Sequence, residues 1–190
     1  MSDYHEKDEL EFQSTMSLGD HLEDLRRRLA LAIVGVVAGT IISIFFGKYL
    51  IAFFFFFFNR EVGESFTLTS LAPAEAFISY MKITILSGLI ISSPWAFYHI
   101  WMFIAAGLYE RERKYVRSAV PFSAALFVSG ALFFLLVVAP ISLKFFMKFN
   151  EFLNVASSWT FQNYISFVTT LMLVFGVAFQ TPIAIFILIK

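Results

Sequence analysis

The chain has no cysteine, which closes it to both a disulfide framework and thiolate chemistry. Charge is scarce: Asp, Glu, Lys and Arg make up 15% of the 190 residues, while hydrophobic residues make up 59%. That balance lies outside the range of a soluble domain of this size. Lys+Arg and Asp+Glu both number 14, so net charge points to no partner and the information lies in where the charges fall. Enzyme motifs are missing as well. There is no H-E-x-x-H, no G-x-S-x-G, no phosphate-binding loop and no paired aspartates within an apolar run. His5, His21 and His99 are scattered. His99, beside Tyr98 and close to Trp101, reads as an interfacial hydrogen bonder rather than a base. The chain is expected not to be an enzyme, and no metal, cofactor or nucleic-acid partner is expected.

What the sequence does have is four long uncharged stretches, at residues 29–47, 83–108, 118–143 and 152–189. About 20 apolar residues in a helix cross the hydrocarbon core of a bilayer. In lipid every backbone polar group must be satisfied within its own segment or barrel wall, so runs this long are helices. The expected fold is an all-α, polytopic membrane protein with four transmembrane spans, at about 29–50, 77–98, 118–139 and 164–189. The third span is expected to stop at Pro140, and Pro182 to kink the fourth. Residues 53–58 are six consecutive phenylalanines, too few to span. At a helix end they would bury in the interface or cover other loops.

Residues 1–16, with Asp3, Glu6, Asp8, Glu9 and Glu11, read as an acidic disordered tail ahead of a single membrane domain at 17–190. Nothing here resembles a cleavable signal peptide, because the start is acidic and the first apolar run is long and lacks a small-residue cleavage pattern. Leu18, Leu22, Leu25 and Leu29 share one helical face, and Ser17 with Asp20 resembles a capping box. A short amphipathic helix at the membrane surface is expected to lead into the first span.

Basic residues set the orientation. With the N-terminus in the cytoplasm, that side carries Lys7, Arg26, Arg27, Arg28, Arg111, Arg113, Lys114, Arg117 and Lys190. The other side carries Lys48, Arg60, Lys144 and Lys148, with Lys82 at the boundary, long enough to snorkel to the headgroups. Both ends of the chain are then cytoplasmic.

Three polar features stand out. Gln180, just before Pro182, either bonds carbonyls freed by that proline, bonds a neighbouring helix, or forms a polar patch in a cavity. Glu23 and Asp24 precede Arg26 to Arg28, and Glu110 and Glu112 lie among Arg111, Arg113 and Lys114. These carboxylates either make ordinary i,i+4 pairs such as Glu23–Arg27 and Asp24–Arg28, each contributing about 0.3–0.5 kcal/mol, or they bind a cationic ligand. A carboxylate matches a guanidinium in a bidentate pair, which adds geometric selectivity to charge.

At these same residues the chain resembles the TatC family, the membrane receptor subunit of the twin-arginine protein translocase. The motifs are His21-Leu22-Glu23-Asp24-Leu25-Arg26-Arg27-Arg28-Leu29, Ser93-Pro94, Tyr98-His99-Ile100-Trp101-Met102-Phe103-Ile104-Ala105 and Gly107-Leu108-Tyr109-Glu110-Arg111-Glu112-Arg113. Tyr164-Ile165-Ser166-Phe167 and the segment from Phe175-Gly176 to Pro182 complete the set, in the family's order and spacing. The resemblance implies a receptor for signal peptides bearing paired arginines, on folded proteins exported by the proton-motive force. It places the arginine-contacting carboxylates at Asp24 and Glu112, with Arg26 and Phe103 beside them. Asp24 stands where the family more often has Glu, one methylene longer, and the adjacent Glu23 can substitute for it in contacting the signal peptide. Gln180 takes the family's intramembrane polar position, and Lys82 and Pro94 match positions of the second span. The resemblance further implies single-span TatA- and TatB-type partners, an oligomeric complex in lipid, and a bacterial cytoplasmic membrane rather than a thylakoid or organellar one. The family has six spans, of which four fall in these residues. The reading from a different class is a small-molecule transporter or channel subunit with Gln180 and Pro182 lining a pathway, and a third is a structural scaffold.

Overall fold

The computed structural model describes residues 18–63, 67–106, 110–156 and 158–189, with the helical side chains of 18–22, 24–25, 106, 110–118 and 187–189 left outside the described set. The acidic segment at 1–16, Ser17 of the capping box and the Gly107-Leu108-Tyr109 stretch also lie outside it. The order is α1 (Leu18–Phe45), α2 (Gly47–Val62), α3 (Glu75–Ala106), α4 (Glu110–Phe133), a π-helical turn (Phe134–Val138), α5 (Ala139–Phe152), α6 (Phe161–Ala178) and α7 (Thr181–Ile189). No strand occurs among the described residues. The single bridge, Thr69 to Thr160, ties the α2–α3 loop to the α5–α6 loop. Four helical stretches are long and apolar enough to cross a membrane: Arg26–Phe45, Glu75–Ala105, Ala119–Phe152 and Phe161–Phe186.

Glycine decides how the spans cross. A Cβ on Gly88 of α3 would lie 2.5 Å from the Cα and N of Thr40 in α1, and one on Gly39 would lie 2.6 Å from the Gly88 carbonyl oxygen. The two backbones therefore touch there, as small residues allow in lipid, where packing rather than water exclusion joins helices. Gly130 and Gly176 do the same between α4 and α6, against the Phe175 carbonyl and the Phe127 ring. Hydrogen bonds fix the register of α1 on α3. Trp95 Nε1 donates to the Leu31 carbonyl at 2.9 Å, and the Tyr80 hydroxyl donates to the Ile44 carbonyl at 2.7 Å.

The main core lies toward the α2 end of the bundle, where Phe54, Phe58 and Val62 of α2 meet Ile83 and Leu86 of α3 and Ile165 and Val168 of α6. The phenylalanine run is thus divided by the helical period. Phe54 and Phe58, four apart, are buried, while Phe53 and Phe56 on other faces are exposed. Phe58 meets Trp159 and Tyr164 edge-on, and the Tyr164 hydroxyl donates to the Phe54 carbonyl at 3.0 Å. These residues form a helix of their own rather than trailing from the end of the first span. Its last turn closes on Gly63 at φ 99°, whose N–H reaches the Asn59 carbonyl.

Two prolines are absorbed in different ways. Pro94 lies within α3 and leaves the Ile90 carbonyl, four residues back, without its N–H partner. The hydroxyl of the adjacent Ser93 donates to that oxygen at 2.7 Å. Pro140 does not end the third span. The helix steps to five-residue spacing through Phe134–Val138, Ala139 N–H bonds to the Phe134 carbonyl, and Pro140 falls in the first turn of α5, where no intrahelical N–H is required. The path then continues to Phe152. In the fourth span the chain breaks at Phe179–Gln180, and Pro182 lies in the first turn of α7.

Candidate functional site

The candidate site lies at the end of the bundle opposite α2. There the first turns of α1, the last turns of α3 and the start of α4 come together, because only three residues separate α3 from α4. α1 and α3 run antiparallel, with Leu31 against Trp95 and Gly39 against Gly88. Eight residues back from Leu31 is Glu23, and eight residues on from Trp95 is Phe103. The same register therefore sets the Glu23–Asp24 turn level with Phe103. Glu23 and Arg26 are exposed, and Phe103 is half-buried. Asp24 lies in α1 and Glu112 in the first turn of α4, but their side chains fall outside the described residues, as does any Asp24–Arg28 pair. The Glu23–Arg27 ion pair is not formed; both side chains are exposed.

Below this rim the α3–α4 contact is a small apolar cluster of Trp101, Ala105 and Ala119. Trp101 Nε1 donates to the Ser123 hydroxyl at 2.7 Å, so the indole is both packed and satisfied. Ser123 is fully buried and serves a second helix pair, because the Gln180 side-chain amide donates to its carbonyl oxygen at 3.0 Å. Gln180 thus bonds a neighbouring helix, not a carbonyl freed by Pro182. Its Oε1 is buried without a partner among the described residues. Such a bond inside the bundle gives no support to Gln180 lining a solute pathway.

One expectation changes. Among the described residues neither ring nitrogen of His99 has a hydrogen-bond partner; the residue is 7% exposed and its ring packs edge-on against Trp95, at 4.7 Å between centroids, and against Tyr98. The Lys82 ammonium turns across to α6 and donates to the Ser166 hydroxyl at 2.7 Å. Ser123 has no role in the sequence reading, and Ser166 enters it only within the Tyr164-Ile165-Ser166-Phe167 motif. The available signal is a hydroxyl within an apolar run, where lipid supplies no alternative partner.

These features define a class: a multi-spanning helical membrane protein whose polar groups are spent holding helices together, with charge gathered at the ends. Residues 20–190 match the family described as Sec-independent protein translocase protein (TatC), and the chain belongs to that family of twin-arginine translocase subunits. It is 34% identical over 179 residues to "Sec-independent protein translocase protein TatC" of Aquifex aeolicus, covering 92% of this chain and 73% of the relative. It is 37% identical over 182 residues to the chloroplastic protein of that name from Pisum sativum, covering 95% of this chain but 50% of the relative. Among solved structures, a twin arginine translocase receptor, TatC, superposes with a TM-score of 0.80 at 34% identity, over 88% of this chain and 74% of the other. The chain therefore spans half the length of the pea relative and about three quarters of the bacterial one.

Proposed function

We propose that the α1–α3–α4 end of the bundle is the receptor surface for signal peptides bearing consecutive arginines. Asp24 and Glu112 supply the carboxylates, Glu23 and Arg26 flank Asp24, and the half-buried Phe103 begins the apolar surface that takes the peptide's hydrophobic stretch. The observation that supports this reading is the α1–α3 register, which sets Glu23–Asp24 level with Phe103, three residues before the end of α3, with Glu112 in the first turn of α4. Two carboxylates at one aqueous margin match a dication. Each charge-assisted bond contributes about 1.5–3 kcal/mol, so neutralising one weakens binding by about 10- to 100-fold.

On this reading the chain is non-enzymatic, its N-terminus faces the cytoplasm of a bacterium, and its surface in the cytoplasmic membrane admits single-span TatA- and TatB-type subunits within an oligomeric, lipid-embedded complex driven by the proton-motive force. Crosslinking a twin-arginine signal peptide to probes at positions 24 and 112 tests it. Labelling is expected to fall about tenfold for a twin-lysine peptide and to weaken with salt. Glu112→Lys is expected to abolish export of twin-arginine substrates while membrane insertion continues. Equal labelling by both peptides, or wild-type export by Glu112→Lys, refutes the assignment.

A further inference from the structure

Lys82 stands seven residues into α3 and presents its ammonium to α6, where, among the described residues, the Ser166 hydroxyl alone receives it, at 2.7 Å. No carboxylate among the described residues pairs with it. An ammonium carries three N–H donors, so donors remain for a further acceptor. Beside it an open groove of about 220 Å³ runs between α3 and α6, lined by Lys82 and Thr170 together with Ile85, Leu89 and Leu173. The two helices run in the same direction here: Leu89 and Leu173 each lie seven residues beyond Lys82 and Ser166. At 1.5 Å per residue the groove is therefore cationic and hydroxylic at one end and apolar about 10 Å further along. Ile85 and Leu173 are exposed along its apolar wall.

Depth fits the same pattern. α3 has 32 residues and is about 48 Å long against a hydrocarbon core of about 30 Å. A centred α3 extends about 9 Å beyond the core at each end, which brings Lys82 to the boundary between headgroups and acyl chains. A cation held there by one neutral hydroxyl is complementary to a phosphate, and the apolar wall leads inward from it.

We propose that this groove binds one anionic phospholipid, with its phosphate on the Lys82 ammonium beside the Ser166 and Thr170 hydroxyls and one acyl chain along Ile85, Leu89 and Leu173. The leaflet is the one at the α2 end of the bundle. The site is separate from the signal-peptide surface, so neither stands or falls with the other.

The test is native mass spectrometry of the full chain released from micelles containing phosphatidylglycerol or phosphatidylcholine with identical acyl chains. The wild type is expected to retain phosphatidylglycerol about fivefold over phosphatidylcholine. Lys82→Gln removes that preference, while Lys48→Gln, an exposed basic residue outside the groove, leaves it intact. Leu89→Trp fills the apolar part without touching the charge and is expected to remove the bound lipid as well, so it decides the matter if Lys82→Gln folds poorly. Equal retention of the two lipids by the wild type, as when an acidic side chain of another helix occupies Lys82, overturns the proposal. So does undiminished preference in Leu89→Trp, or displacement of the lipid by inorganic phosphate alone.

Discussion

Placing a single methyl group at the α1–α3 crossing tests the packing account most sharply. In Gly88→Ala the new Cβ would stand 2.5 Å from the Cα and N of Thr40. Carbon atoms in contact sit about 3.5–4.0 Å apart, and backbone cannot swing aside as a flexible side chain can, so α1 and α3 must part by about 1 Å. Two hydrogen bonds bracket the crossing: Trp95 to the Leu31 carbonyl at 2.9 Å and Tyr80 to the Ile44 carbonyl at 2.7 Å. Separation by about 1 Å carries both beyond hydrogen-bond range. An interhelical bond in a membrane contributes about 0.6 kcal/mol on average, and overpacking costs about 1–3 kcal/mol, which together give a loss of about 2–4 kcal/mol. Reversible unfolding of the purified chain by titration with SDS measures this directly. Val37→Ala, on an exposed face of α1, should stay within about 0.5 kcal/mol of the wild type. Because Gly39→Ala forces the same separation, the double variant should lose clearly less than the sum of the singles. A Gly88→Ala variant within about 0.5 kcal/mol of wild type, or strictly additive singles, would refute backbone contact as what sets this crossing.

Two further outcomes follow from the α2 end. Phe58→Ala should lower stability by about 3–5 kcal/mol, because Phe58 is fully buried against Trp159 and Tyr164. Phe56→Ala, 62% exposed, should change it by less than about 0.5 kcal/mol; thermal unfolding in detergent separates the two, and equal losses would mean that the run acts as undifferentiated grease. Glu61 is nearly buried and takes the Lys144 ammonium at 2.9 Å, but Lys144 is 59% exposed. Solvent screening therefore limits the loss in Glu61→Gln to about 0.5–1 kcal/mol at low salt, shrinking toward zero near 1 M salt. A loss that does not respond to salt would show that Glu61 acts through packing.

Legibility in the sequence divided by the kind of force involved. Helix, span number and the motif segments were readable because each depends on a run of residues close together in the chain. The third span shows the limit. Pro140 predicts a stop, since proline lacks an N–H, yet a π turn at Phe134–Val138 changes the hydrogen-bond spacing just ahead of it and the helix continues. Pro94 was tolerable for a reason visible only in atoms, the Ser93 hydroxyl on the Ile90 carbonyl. His99 looked polar and interfacial, and the Trp95 and Tyr98 rings made it part of the packing instead.

The sequence alone determined that this chain lives in a bilayer, because lipid cannot hydrogen-bond a backbone and long apolar runs must then satisfy themselves as helices. It also determined the residue types offered at the polar end, where a long stretch of chain separates Glu23 and Asp24 from Phe103 and Glu112. Only tertiary structure decided that Glu23 and Phe103 stand level, that Gln180 is held by Ser123, and that Lys82 turns across to Ser166 of α6. The physical reason is that register between helices is set by contacts as small as the missing Cβ of Gly88 and the reach of Trp95, and these act between residues dozens of positions apart.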